Sequence, residues 1–395
     1  MLRKSLLLKI FDGAYMQRWN DKLRPMELIE LDKQAHKMVV AYFLGQFSED
    51  NHDFDWMELI EGGIFDLCQR LVITDIKPPV FYKIREDREK YRRLNEFVIR
   101  EMETYLTPLG DDFFDRFKNY LFRKENNSTH RVLEAAHNYA SRWEFSLIEN
   151  LNPQGFEIEE IKKNFRERLE KFADLPGMIA LEENASFRSF IDLCGHLRFQ
   201  ARWSHLHRVP KTSVLGHSLF VAILAYLLTM EIGGCVQRRY NNFFTGLFHD
   251  LPEVLTRDII SPIKKSIEGL DDLIKEIEVE QMEKDVYPLL PEELVPELKM
   301  FTQDEFSNLV TVEGKPKKVN TAQEISQFFN EASFNPRDGE LLRAIDRLAA
   351  FIEARVALEN GGVSAEFQEA AISIKKSYSN QKIAGINFGE IFADF

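Results

Sequence analysis

His249 and Asp250 stand side by side in FFTGLFHDLPEVLTRDIISPIK (residues 243–264), and Glu253 follows four residues after the histidine. An imidazole beside a carboxylate offers a divalent cation one nitrogen and one oxygen ligand, and on a helix a carboxylate at i+4 projects from the same side, where it could handle protons. The apolar residues Phe243, Phe244, Leu247, Phe248 and Leu251 predict a buried helix, with Pro252 at its end or at a bend. Taken alone, a His-Asp pair is equally a helix terminus carrying capping charges. Two further residues extend the set: His217 in KTSVLGHSLFVAILAYL and Asp346 in LLRAIDRLAAF. Asp346 interrupts a helical face made of Leu342, Ile345, Ala349 and Ile352, where an unpaired buried carboxylate would be costly. A cation would remove that cost, as would Arg343 or Arg347; His217 by itself could be a core histidine or a cap. Two imidazoles and two carboxylates together suit one divalent ion (Mn²⁺, Co²⁺, Fe²⁺, Zn²⁺ or Mg²⁺), with positions left for water and a phosphate oxygen.

The elements that must carry these residues are helical. Glycine and proline are sparse, β-branched runs are few, and segments such as 187–199 and 341–358 place apolar residues three and four apart with Glu, Lys and Arg between them, which predicts an all-α fold. One stretch departs from this, SNLVTVEGKPKKV near 306–319, where Gly314 and Pro316 separate short β-prone pieces; a small hairpin or irregular surface insertion is expected within 301–338. The 395 residues are 44% hydrophobic and 29% charged, enough for two ordinary domains with ample core. A net charge of −13 argues against a protein whose main task is to grip a nucleic-acid polymer, though not against a local phosphate pocket. Cys68, Cys194 and Cys235 are widely spaced and odd in number, which reads as reduced thiols in a cytoplasmic protein. The N-terminal MLRKSLLLKIFDG is too short in its apolar run for a signal peptide, and the apolar stretch 219–230 is too short for a bilayer, so no membrane span is expected. The basic cluster of Arg85, Arg88, Lys90, Arg92 and Arg93 is interleaved with acids and reads as a solvated helix face.

A faint internal repeat changes the domain reading. Arg18-Trp19 echoes Arg202-Trp203, His36 precedes an apolar helix as His217 does, Asp75-Ile76 parallels Asp258-Ile259, and Glu149-Asn150 parallels Glu359-Asn360. The Arg-to-His intervals are 18 and 15 residues and the His-to-Asp intervals 39 and 41, while the last interval is 74 against 101. The surplus falls where the hairpin is expected. In this pairing Asp66, Leu67, Arg70 and Ala136 stand opposite His249, Asp250, Glu253 and Asp346, His36 survives, and His137 lies one position off. Residues 1–178 are therefore expected to be a degenerate, non-catalytic domain and residues 179–395 the active one, a single chain shaped like a homodimer; an unrelated helical regulatory domain is the alternative.

The order RW, HS, HDxxEVLTxD followed by PxK, and a late aspartate in an acidic-ended helix, resembles the HD-superfamily phosphohydrolases over about residues 196–362, and among them the bacterial 5′-deoxynucleotidases. The resemblance implies an all-helical HD fold, in tandem if the repeat is real, with one divalent ion on His217, His249, Asp250 and Asp346. It implies further that Glu253 assists the attacking water, that Arg202 holds the substrate phosphate, that Trp203 packs near the sugar and favours 2′-deoxyribose, and that Asp258 lies close to the reacting phosphate. Lys264 would add positive charge. Two departures bear on the mouth of the pocket: Gly216, where the family often has an acid before the histidine, and the inserted segment before Asp346. The expected activity is metal-dependent release of phosphate from deoxynucleoside 5′-monophosphates or a similar small phosphate ester. A triphosphohydrolase, a phosphodiesterase and a non-catalytic nucleotide sensor or scaffold are the alternatives.

Overall fold

Residues 30–45 are buried without interruption, so the helix that carries them is wrapped on every side. In the computed structural model, which describes residues 2–74, 76–123, 127–257, 267 and 269–395, the protein is 69% helical, with short two-stranded ribbons as its sheet. The helices that frame the site are α1 (Lys4–Phe11), α2 (Glu30–Gln46), α3 (Trp56–Ile73), α4 (Ser128–Glu149), α5 (Ala185–His196), α6 (Val214–Glu231), α7 (Val236–Phe248), α8 (Glu253–Thr256), α9 (Gly339–Glu359) and α10 (Ala365–Tyr378). Two residues apiece make β1 (Gln17–Arg18) and β2 (Leu28–Ile29), paired antiparallel.

A helix apolar on all faces must find neighbours on all faces. The sequence of α6, VLGHSLFVAILAYLLTME, is of that kind, long and apolar enough to cross a bilayer by length and composition, yet 89% of it is buried inside the fold. It is a core helix. α6 packs on α2, α7 and α9, while α2 packs on α3 and α4, so the two buried helices form the centre of the molecule. A single apolar cluster runs from Leu2 to Phe392; Tyr42 of α2 meets Phe244 of α7 with ring centroids 4.7 Å apart, and the halves on either side of residue 178 share this core.

The expected hairpin is present as β3 (Leu309–Val312) and β4 (Lys315–Lys318), with Val312 opposite Lys315. Its turn residues Glu313 and Gly314 both have positive φ, 51° and 73°, the signature of a type I′ turn. β4 is exposed throughout, as a surface insertion should be. Its base is fixed from below: the fully buried Arg337 donates to the carbonyls of Asp304 (2.5 Å) and Ser307 (3.3 Å). The next residue, Asp338, takes a bidentate ion pair from buried Arg238 (2.6 and 2.7 Å) and another hydrogen bond from Asn242 (2.7 Å). These contacts set where α9 begins. The basic cluster at 85–93 is solvated as expected, Arg92 pairing with Glu89 and Glu96 along its own helix with half its side chain exposed.

Candidate metal centre

Each of the four candidate ligands is placed by its helix. His217 lies in the first turn of α6, whose cap Ser213 accepts from Gly216 N (2.9 Å) and donates its hydroxyl to Asp32 Oδ1 (2.6 Å). A Cβ on residue 216 would lie 2.6 Å from that same Asp32 oxygen, so the missing acid at this position follows from a carboxylate of α2 already filling the space. His249 caps the C-terminus of α7, and Gly246 lets α7 approach α6: a Cβ there would sit 2.8 Å from Ala222 Cα. The two imidazoles consequently come within 5.7 Å, centroid to centroid. Nδ1–H of His249 donates to Gly246 O (2.8 Å), which aims the Nε2 lone pair inward. That nitrogen is buried and has no hydrogen-bond partner.

Across the centre, α9 presents Asp346. Ligand atoms of His217, His249 and Asp346 all lie within 4.8 Å of one another. His217 Nε2 is 3.0 Å from Asp346 Oδ1 and 3.9 Å from Asp250 Oδ2, while His249 Nε2 is 3.2 Å from Asp250 Oδ1. All four converge. Burial alone would raise the Asp346 carboxyl, but the hydrogen bond and charge of His217, with His249 and Arg347, hold it well below the usual carboxylate range. Burial and Arg202 pull His217 down, yet its contacts with Asp346 and Glu353 win and push it up to about 9. Carboxylates that stabilise positive charge on an imidazole, beside a buried imidazole nitrogen lacking a donor, have the character of a cation site. The mixed N/O donor set fits a divalent ion on the same ground.

One residue of this centre escaped the sequence reading. Glu353, two turns after Asp346 on α9 and 2% exposed, accepts from Arg202 Nε (3.2 Å), Trp203 Nε1 (2.9 Å) and Thr212 Oγ1 (2.8 Å). Its Oε1 is 3.6 Å from Nδ1 of His217, the ring atom facing away from the ligand cluster. Arg202, His217 and Arg208 hold the Glu353 carboxyl well below its ordinary range against the opposing effect of burial. The available signal was a glutamate seven residues after Asp346, on the same apolar face. Arg202 adjoins the ligands, with Nη1 3.7 Å from Asp250 Oδ2. Trp203 is half-buried, its indole tied to Glu353 and its ring 5.3 Å from Phe367.

The expectation for Glu253 needs a correction in geometry. α7 stops at Phe248, Pro252 caps a new short helix, and Glu253 opens it, so the two residues share no continuous helical face. Proline at 252 and the tight turn before it account for the break. The peptide carbonyl of Glu253 accepts from Gln200 Nε2 (2.9 Å), which anchors α8 beside the Arg202 segment. Asp258 and Lys264 lie outside the described residues.

The HD domain family matches residues 194–384. A 5′-deoxynucleotidase of Pasteurella multocida (strain Pm70) is 26% identical over 184 residues, 46% of this chain and 79% of that protein. A 5′-deoxynucleotidase of Pectobacterium atrosepticum is 30% identical over 115 residues, 28% of this chain and 57% of that protein. The family match agrees with the helical architecture. Residues 194–384 are thus similar to the HD domain family, the family whose pattern the segment around His249-Asp250 resembles.

Proposed function

We propose that the centre formed by His217, His249, Asp250 and Asp346 holds one divalent ion and hydrolyses the phosphate ester of deoxynucleoside 5′-monophosphates. The observation that carries this reading is the inward-facing, buried Nε2 of His249, set among the three other donors with no hydrogen bond of its own. When bound, the ion supplies Lewis acidity toward a phosphate oxygen and lowers the pKa of a water. The chain supplies the rest. Arg202, steadied by Glu353 through Nε and standing beside Asp250, offers charge-assisted hydrogen bonds to the phosphate dianion and resists its rotation. Glu253 accepts the proton of the attacking water as the new P–O bond forms and returns it to the 5′ oxygen as the old P–O bond breaks. A free nucleoside and inorganic phosphate leave.

Trp203, held by its indole nitrogen, provides a flat apolar wall suited to a sugar lacking its 2′-hydroxyl. Asp258 and Lys264 are assigned to the phosphate end on the strength of the motif. A cytoplasmic setting accords with three cysteines that are all unpaired. The test is phosphate release from a panel of deoxynucleoside and ribonucleoside monophosphates, deoxynucleoside triphosphates and cyclic nucleotides, with chelator or with each divalent metal. Metal-dependent release from the deoxynucleoside monophosphates above all others is expected. Preference for triphosphates or cyclic nucleotides would replace this substrate assignment, and nucleotide binding without turnover would replace catalysis with sensing.

A further inference from the structure

The first half repeats much of the hydrogen-bonded framework that surrounds the candidate metal centre. Glu30 N donates to Met16 O (2.8 Å) as Val214 N donates to Gln200 O (3.0 Å), and Gln17 faces Ile29 as Ala201 faces Ser213, each pair 184 residues apart. Trp19 and Trp203, again 184 apart, both have φ of 54°. A non-glycine residue in that region is uncommon, and here it serves one purpose twice. The indole of Trp19 donates to Glu144 Oε2 (3.0 Å) and Arg18 Nε joins it (2.8 Å), as Trp203 (2.9 Å) and Arg202 (3.2 Å) do on Glu353. Gly63 of α3 lies against Met38 of α2 as Gly246 lies against Ala222.

These bonds fix a register that corrects the one expected from sequence. The residue in the place of His217 is Lys33, not His36, which lies a turn further on and meets Ile191 O (3.2 Å) and Trp143. Counting back from Glu144 as Asp346 counts back from Glu353 gives His137, not Ala136. The matching contact is present: Lys33 Nζ is 2.6 Å from His137 Nδ1, where His217 Nε2 is 3.0 Å from Asp346 Oδ1. Asp66 takes the place of His249 and is bound by buried Lys37 and by Tyr120 (2.9 Å). Arg70, in the place of Glu253, pairs with Glu30 (3.3 Å).

We propose that residues 2 to about 175 are a second copy of the HD fold in which the amine of Lys33 fills the position of the ion, so that the chain binds one ion and not two. The surrounding charges agree. Arg18, Lys37 and Arg70 already neutralise Glu30, Glu144 and Asp66, so none of these carboxylates is left uncompensated to hold a divalent ion. Burial, with Arg18 and Lys37 at hand, drives the Lys33 amine well below its ordinary range, and burial and Lys33 do the same to His137, so these surroundings disfavour further positive charge.

The inference rests on the ion site proposed above, and the experiment separates the two. The full-length protein, a His249→Ala variant and a Lys33→His/Leu67→Asp/His137→Asp triple variant are dialysed against Co²⁺, and bound cobalt per chain is counted by elemental analysis, with circular dichroism as a check on folding. One, none and two ions are expected. Two ions in the wild type, an ion retained in His249→Ala, or a folded triple variant that binds no more than the wild type would overturn the proposal. If the triple variant does not fold, the first two counts decide. A wild type that binds none refutes the metal reading of the second half, and a triple variant that then gains one still supports the lysine substitution.

Discussion

Glu353→Gln removes one charge and almost no volume from the centre of the site. The carboxylate carries Arg202 Nε at 3.2 Å, Trp203 at 2.9 Å and Thr212 at 2.8 Å, and it faces His217 Nδ1 at 3.6 Å. An amide can still accept from Trp203 or Thr212, but it cannot neutralise Arg202 and the buried Arg208. Exchanging a charge-assisted bond for a neutral one costs about 1–2 kcal/mol, and removing the Glu353 charge that faces the buried Arg208 brings the total to roughly 2–4 kcal/mol of stability. Functionally the loss falls on His217, whose outer nitrogen no longer faces a carboxylate; changes of this kind lower metal affinity or turnover by about 10–100-fold. Urea unfolding and phosphate release measured across a metal titration read both effects. A variant with wild-type stability and an unchanged metal requirement would show that Glu353 is a bystander and that the network drawn around it is wrong.

Three other substitutions probe separate links. Glu253→Gln should retain the ion and nucleotide while losing about 10²–10⁴-fold in kcat, since it removes a proton acceptor; undiminished turnover rejects its role. Gly246→Ala places a methyl 2.8 Å from Ala222 Cα, so it should cost about 1–3 kcal/mol by chemical denaturation and weaken metal binding as the two imidazoles separate. Equal stability and affinity would mean that α6 and α7 are not held at closest approach. Burial raises the Asp32 carboxyl to about 6 against the opposing effects of Arg198 and Ser213. A carboxyl raised in the folded state contributes stability that is full below its unfolded value near pH 4 and is lost as pH rises through about 6, here about 3 kcal/mol. Asp32→Asn should therefore flatten the fall in stability between pH 4 and 7, and parallel curves for variant and wild type would count against it.

The sequence made the candidate ligands legible because chemistry and periodicity coincide in them: polar residues interrupt apolar helical runs, as His217 and Asp346 do, and the fold brings these two side chains within hydrogen-bond distance. The hairpin was readable from Gly314 and Pro316 for the same local reason. What failed was what depends on backbone that periodicity does not resolve. The chain breaks between Phe248 and Glu253, so the i+4 geometry never forms there. In the repeat proposed above, the register slips by three residues at α2, because His36 looks like the counterpart of His217 while the proposed equivalent position holds Lys33. Glu353 was passed over because glutamate is ordinary in helices, and only its burial among Arg202, Trp203 and Thr212 gives it away. Asp32, which fills the space left by Gly216 from a helix 184 residues earlier, could not be seen without three-dimensional contact.

The central claim is that four side chains on three helices and a turn bind one ion on which hydrolysis depends. It is tested most directly by comparing wild-type protein with Asp346→Asn, both stripped by chelator and reloaded with Mn²⁺ or Co²⁺, for bound metal and for phosphate released from a deoxynucleoside monophosphate. One ion and activity in the wild type, with both lost in the variant, is the predicted result; an Asp346→Asn protein that keeps its metal and its rate would contradict it.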